Sequence, residues 1–216
     1  MRKAHQLTAP PPPASPTIAN ILPEKPHMEG EALDFLDRAM REASCYLEYG
    51  VGGSTRWALE REVRQIICVE SDPKFSRAVT EALRTEYPKT DLEMFDVDIG
   101  TTSHWGVPVD KSRAENWPQY SVGVWDHIFE NGYRPDLILI DGRFRAACFL
   151  ASIMCADPGT TILFDDYFDR ERHYGLVTQF LEIEKKVGRM AVFKCKSVDM
   201  SPLMAFELAR NSVRYR

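Results

Sequence analysis

A doubly wound α/β fold, with a mostly parallel sheet and helices on both faces, is predicted by three features of this 216-residue sequence. Apolar runs of strand length alternate with amphipathic stretches of helix length, the order that builds parallel sheets. The first such run, Cys45-Tyr46-Leu47-Glu48-Tyr49, enters a glycine-rich turn, Gly50-Val51-Gly52-Gly53-Ser54-Thr55, and then a helix-prone stretch. Strand, glycine turn and helix open a βαβ unit. Each of the first five expected strands also carries an acid at or near its carboxyl end, which is where doubly wound sheets bind their ligands.

The elements follow in order. Residues 1–27 are rich in Pro, Ala and Thr and include Pro10-Pro11-Pro12-Pro13. Such a segment lacks the N–H groups for helix or sheet and reads as an extended N-terminal arm, with Ile18, Ile21 and Leu22 available to hold it to the domain. It is expected to be dispensable for ligand binding. The α/β domain then spans 28–216. Leu33, Leu36 and Met40 recur at helical spacing between Glu29 and Arg41. After the glycine turn, Gln65-Ile66-Ile67-Cys68-Val69 reads as a strand ending at Glu70. Asp72-Pro73 supplies an N-cap and a first helical proline for a helix reaching about Tyr87. Leu92–Val97, Leu137–Asp141 and Thr160–Phe164 are the next strands, and Phe144–Met154 is an apolar helix. A helix from Glu171 to Val187, stopped by Gly188, is expected next. Two last strands, near Met190–Lys196 and Leu203–Leu208, would form a hairpin with a turn at Ser201-Pro202, giving one antiparallel strand.

Composition narrows the function classes. Lys and Arg number 27 against 32 Asp and Glu, a formal charge of −5. An acidic chain without a basic run is a poor match for a nucleic-acid backbone. No apolar run is long enough to span a bilayer, and no apolar core follows Arg2 and Lys3, so no signal peptide is expected. The five cysteines sit mostly in apolar runs without a C-x-x-C pair. They read as reduced core residues of a cytoplasmic protein. A homo-oligomer is allowed by the sequence.

The glycine turn decides the ligand class. A dinucleotide fingerprint needs G-x-G-x-x-G, but Thr55 stands at the third glycine. Glu70 follows Glu48 by about the interval of a ribose-binding acid, so a nucleoside fits. Glu48 and an acidic rim would repel a pyrophosphate, whereas a sulfonium donor carries none. The run Glu48-x-Gly50-x-Gly52-Gly53, with Ser54 at a position usually glycine, resembles the nucleotide-binding motif of class I S-adenosylmethionine-dependent methyltransferases. From about Glu29 onward the pattern resembles that of poorly characterised bacterial methyltransferase-like proteins.

The resemblance implies a seven-stranded sheet with a reversed last strand, S-adenosylmethionine as cofactor, and a small-molecule acceptor methylated on oxygen or nitrogen. It implies cofactor contacts from Glu48, Gly50, Gly52, Gly53, Ser54, Thr55, Glu70, Ser71 and Asp141, and an adenine-binding pair Asp98-Ile99, with Asp96 as a competitor. Residues 100–108 read as a lid carrying Trp105 or as a plain surface loop. Asp141, with Asp165 and Asp166, matches the divalent-cation site of metal-dependent O-methyltransferases, and oxygen ligands suit Mg or Ca. Asp141, His104 and His173 are the candidate catalytic residues, the histidines as general bases. His127 falls in an apolar helical pattern and reads as structural. A non-catalytic nucleoside-binding protein of the same fold and an NAD-dependent oxidoreductase stay open as alternatives.

Overall fold

The structure is a computed structural model and describes residues 17–215. Seven strands form one sheet in the order β3-β2-β1-β4-β5-β7-β6. Their ranges are β1 Cys45–Tyr49, β2 Gln65–Glu70, β3 Asp91–Asp96, β4 Leu137–Ile140, β5 Thr161–Phe164, β6 Lys185–Val187 and β7 Met190–Lys194. Strands β1 to β5 pair in parallel, and β7 runs antiparallel to both β5 and β6. The helices are α1 Ile18–Ile21, α2 Gly30–Glu42, α3 Gly53–Glu60, α4 Pro73–Glu86, α5 Trp117–Asn131, α6 Arg145–Cys155, α7 Glu171–Tyr174 and α8 Pro202–Asn211.

Strand alternation divides the core in two. Leu47, Tyr49, Ile67, Val69, Ile138, Ile140, Ile162 and Phe164 face α5, α6 and α8. Tyr46, Ile66, Cys68, Leu137, Leu139 and Leu163 face α1 to α4, through Ile18, Leu36, Met40, Trp57, Val79 and Leu83. Both faces are covered, which is why these strands are apolar almost throughout. The chain winds outward from β1 to β3, then returns to β4 on the other side of β1. The crevice between β1 and β4 is therefore the topological switch point.

Three expectations are corrected. The helix expected over 171–187 stops after α7. A 3-10 turn covers Gly175–Gln179, and 185–187 become the edge strand β6. Gly175 and the β-branched Val177 and Thr178 are weak helix formers, and pairing with β7 takes the rest. Gly188 is not a helix end but part of the β6–β7 turn, at φ +57°. The strand expected over 203–208 is α8. Ser201 Oγ accepts from the Met204 N–H at 3.2 Å and Pro202 takes the first helical position, so Ser-Pro starts a helix rather than a hairpin turn. The hairpin exists one element earlier. Helix α5 is signalled in the sequence only by the apolar helical pattern around His127, without bounds. Trp117, Tyr120, Val124 and Ile128, all buried, form its apolar stripe.

Candidate functional site

A cavity of about 1040 Å³ opens at the carboxyl ends of β1, β2, β4 and β5. Its floor is the glycine turn. Gly50, at φ +101°, brings the backbone so close to Gly142 that an added Cβ would lie 2.8 Å from the Gly142 Cα. Only glycine takes that conformation at that distance. The Asp141 N–H donates to the Tyr49 carbonyl at 3.1 Å, locking the β1 and β4 loops together.

Glu48 shapes this turn from below. It is fully buried on the α3 side of β1 and is absent from the cavity wall. Its carboxylate accepts from Tyr46 Oη at 3.0 Å, Ser54 Oγ at 2.7 Å, Cys68 Sγ at 3.2 Å and Thr55 Oγ1. Thr55 Oγ1 in turn accepts from the Gly52 N–H at 2.9 Å. Burial pushes the Glu48 carboxyl up, against the opposing pull of these bonds. Glu48 is thus a strut for the first turn of α3.

Glu70 ends β2 at the cavity wall. Oε1 accepts from the N–H groups of Ser71 at 2.6 Å and Asp72 at 2.9 Å, and Oε2 from Val51 at 3.3 Å. Burial raises its pKa and the backbone donors oppose the rise. One carboxylate thereby spans the glycine turn and the start of α4, with its outer face toward the cavity.

The third wall comes from the N-terminal segment. Ile18 and Leu22 are 2% exposed, and Trp57 Nε1 donates to the Glu24 carbonyl at 3.0 Å. Ile21, Pro23, Lys25, Pro26 and His27 consequently line the cavity. The segment is expected to be dispensable for ligand binding, yet residues within 21–27 border the cavity. The tetraproline lies outside the described residues. Opposite, Thr102, Ser103, Trp105, Gly106 and Val107 form the rim. Trp105 is 79% exposed, takes φ +61°, and faces the His27 ring at 5.9 Å.

The fourth side is ionic. Asp141, Asp165 and Asp166 are brought together as their positions after the fourth and fifth strands suggested, with one oxygen of each within 4.8 Å of the others. Three guanidinium groups interleave with them. Arg145 contacts Asp141 Oδ1 at 2.9 Å and Asp166 Oδ2 at 3.2 Å. Arg189 grips both oxygens of Asp165 at 3.0 and 3.2 Å and Asp166 Oδ1 at 2.9 Å. Arg170 adds a contact to Asp166 Oδ2 at 3.1 Å. Burial pushes the Asp141 carboxyl up to about 7, with Arg145 opposing and Asp165 and Asp166 adding to the rise. Burial works against the charge of Arg145, but Asp141 and the other aspartates outweigh it and hold the guanidinium protonated.

Of the residues singled out from sequence, Gly50, Gly52, Gly53, Ser54, Glu70, Ser71, Asp141, Asp165 and Asp166 line the cavity. Glu48, Thr55, Asp98, Ile99, His104 and His173 do not. Asp98 is exposed, accepts from the Gly100 N–H at 3.0 Å and lies 3.4 Å from Arg113. Ile99 is buried in the core, its carbonyl taken by Trp117 Nε1. His104 and His173 are exposed side chains away from the wall. Sequence reasoning gave no role to Lys25, His27, Tyr120, Arg143, Arg145, Arg170 or Arg189, all of which line it. Arg143 and Arg145 closely follow Asp141 in the sequence, but an arginine at a helix start carries no signal of its own. His27 and Arg189 arrive only through tertiary packing.

No family model and no curated protein matches the chain. Solved structures do. A methyltransferase-like protein from Silicibacter pomeroyi is 35% identical, with a TM-score of 0.78, over 88% of this chain and 97% of that one. An O-methyltransferase from Bacillus cereus in complex with SAH (S-adenosylhomocysteine) matches over 80% of this chain and 84% of its own, at 19% identity and a TM-score of 0.52. The O-methyltransferase TomG from Streptomyces achromogenes, in complex with SAM, covers 78% and 82% at 14% identity and a TM-score of 0.52. These two agree in fold. A glycine turn and acid-ended strands around one cavity, on a sheet shared across nearly the whole of a relative 35% identical, place this chain in the class I S-adenosylmethionine-dependent methyltransferases, among their methyltransferase-like members.

Proposed function

We propose that the chain transfers the methyl group of S-adenosylmethionine to an oxygen or nitrogen of a small-molecule acceptor inside this cavity. The observation that carries the reading is the cavity itself. At about 1040 Å³ it lies at the upper end of small-molecule sites, roughly 300–1,000 Å³. It is walled by the glycine turn and Glu70 on one side and by residues 21–27 and 102–107 on the other. That is room for a nucleoside donor with a compact acceptor, and the encircling walls disfavour a macromolecule.

The donor supplies a methyl carbon bonded to a positively charged sulfur. In an in-line displacement the acceptor's lone pair forms the new bond to that carbon while the carbon–sulfur pair returns to sulfur. Alignment therefore supplies much of the rate. Gly52, whose Cβ position is open, lets the donor lie against main chain, while Gly50 and Gly53 let the turn pack on Gly142 and on Lys25-Pro26. Glu70 is placed to accept from ribose hydroxyls, in charge-assisted bonds of about 1.5–3 kcal/mol each. Ser71 and Phe75 continue that wall toward the base. Asp141 stands across the switch point, where it accepts from the donor's ammonium group. His27 is the histidine that lines the cavity among the described residues, and it takes the acceptor's proton in place of His104 or His173.

Calorimetric titration with S-adenosylhomocysteine tests the donor site. Release of that product from S-adenosylmethionine, screened over hydroxyl- and amine-bearing compounds, tests the transfer. Donor binding with no turnover on any acceptor, repeated with His27→Ala giving no change, would remove the catalytic reading.

A further inference from the structure

We propose that this protein has replaced the divalent cation of metal-dependent O-methyltransferases with its own arginines, and that Arg145 occupies the cation's role. The inference rests on the cavity being the methyl-transfer site.

The oxygens are the first observation. Asp141 Oδ1, both oxygens of Asp165 and both oxygens of Asp166 each already have a guanidinium nitrogen within 3.2 Å. Formal charge in the cluster balances, three carboxylates against Arg145, Arg170 and Arg189. The repulsion between neighbouring aspartates that would call for a metal is answered within the chain. A Mg or Ca ion would need several of these same oxygens at about 2.0–2.6 Å, and would sit against a guanidinium group that cannot lose its proton.

The placement of Arg145 is the second. It is the first residue of α6, preceded by Phe144 at φ +51°. A cation at a helix N-terminus opposes the helix dipole, and a left-handed aromatic residue is strained. A buried charge also needs full pairing. The side chain is 5% exposed, and the pairing is complete. Nη2 donates to the Asp141 carbonyl at 2.8 Å, Nη1 to the Asp165 carbonyl at 2.7 Å, and Nε to the Gly142 carbonyl at 3.0 Å, besides the two aspartates. One guanidinium ties the ends of β4 and β5 together, as a bound cation would. Arg145 is thus a positioning residue for Asp141. The acceptor, in consequence, is held by side chains and need not be a chelating diol.

Manganese titration of the full chain, followed by loss of the free-ion paramagnetic signal and repeated with S-adenosylhomocysteine present, tests this. The parent protein is expected to show no saturable binding at millimolar metal. Arg145→Met, which removes the charge and keeps much of the stem, is expected to gain roughly tenfold or more in Mn affinity, about 1.4 kcal/mol, and to lose it again when combined with Asp165→Asn. Should Arg145→Met not fold, Arg170→Ala, whose side chain is 46% exposed, is expected to show a gain in the same direction. Saturable binding by the parent that Asp165→Asn abolishes would overturn the proposal, as would variants that fold and gain no affinity. Calorimetry with S-adenosylhomocysteine on the same samples keeps the two readings apart. A chain that binds neither ligand nor metal loses the donor site and keeps the arginine network.

Discussion

Alanine at Gly52 and alanine at Gly53 should fail in opposite ways. At Gly52 an added Cβ meets nothing within 4 Å, and φ is −173°, an extended value open to any residue. Gly52 lines the cavity, so that empty space is where the donor is placed. At Gly53 the same atom would lie 2.4 Å from the carbonyl carbon and oxygen of Lys25 and 2.6 Å from the Pro26 nitrogen. Backbone cannot step aside as a side-chain tip can. For Gly52→Ala the free protein should keep or slightly raise its Tm, because the unfolded chain loses about 0.4–1 kcal/mol of entropy. Its affinity for S-adenosylhomocysteine should fall by about 1–3 kcal/mol, the usual overpacking penalty, or roughly 5- to 150-fold. For Gly53→Ala that penalty falls on the free protein, lowering Tm by roughly 2–12 °C as residues 23–27 lift off. Scanning calorimetry without ligand and titration calorimetry with it separate the two. If Gly52→Ala binds the product as tightly as the parent, the donor does not lie on this turn. An unchanged Tm for Gly53→Ala would mean that Lys25-Pro26 does not rest on it.

Further outcomes follow from the same geometry. Glu70→Ala should weaken S-adenosylhomocysteine binding by about 2–4 kcal/mol and also lower Tm, since the N–H groups of Val51, Ser71 and Asp72 lose their acceptor; calorimetry showing parental affinity would take Glu70 out of the ribose site. Glu70→Gln should fall between, because its amide would meet the Val51 N–H donor to donor. Glu48 has a raised carboxyl pKa in the folded chain, so the folded state holds more protons than the unfolded one as pH climbs through and above about 4.3. Stability from this group therefore declines as pH rises toward the folded value. Glu48→Gln lacks that slope and should improve relative to the parent between acidic and neutral pH in denaturant melts; parallel curves would refute the assignment. Removing residues 1–25 should lower Tm, because Ile18 and Leu22 leave the core. It should also weaken donor binding roughly tenfold, about 1.4 kcal/mol; unchanged calorimetric affinity would show that this wall is not part of the donor site.

The sequence alone determined the frame of the molecule. Apolar runs and N-cap signals are local, so β1 to β5, α2 and α4 fall within a few residues of their expected places. The glycine turn, Glu70 and the three aspartates were legible for a related reason: ligands meet doubly wound sheets at strand ends, and strand ends show in one dimension. Local signals failed where two structures satisfy them equally. Ser201-Pro202 opens a turn or a helix, and residues 185–187 became strand only because β7 offered an edge. Tertiary structure alone decided what each acid does. Glu48 and Glu70 look alike in sequence, and the β1–β2 register puts both on one face of the sheet; Glu48 lies under the first turn of α3 inside the core, whereas Glu70 is the last residue of β2 and reaches the crevice. It alone brought His27 and Arg189, 162 residues apart, to one wall. The aspartates announced a need for positive charge, but not its source. A carboxylate's charge is written in the sequence, whereas the group that neutralises it is chosen by distance in three dimensions.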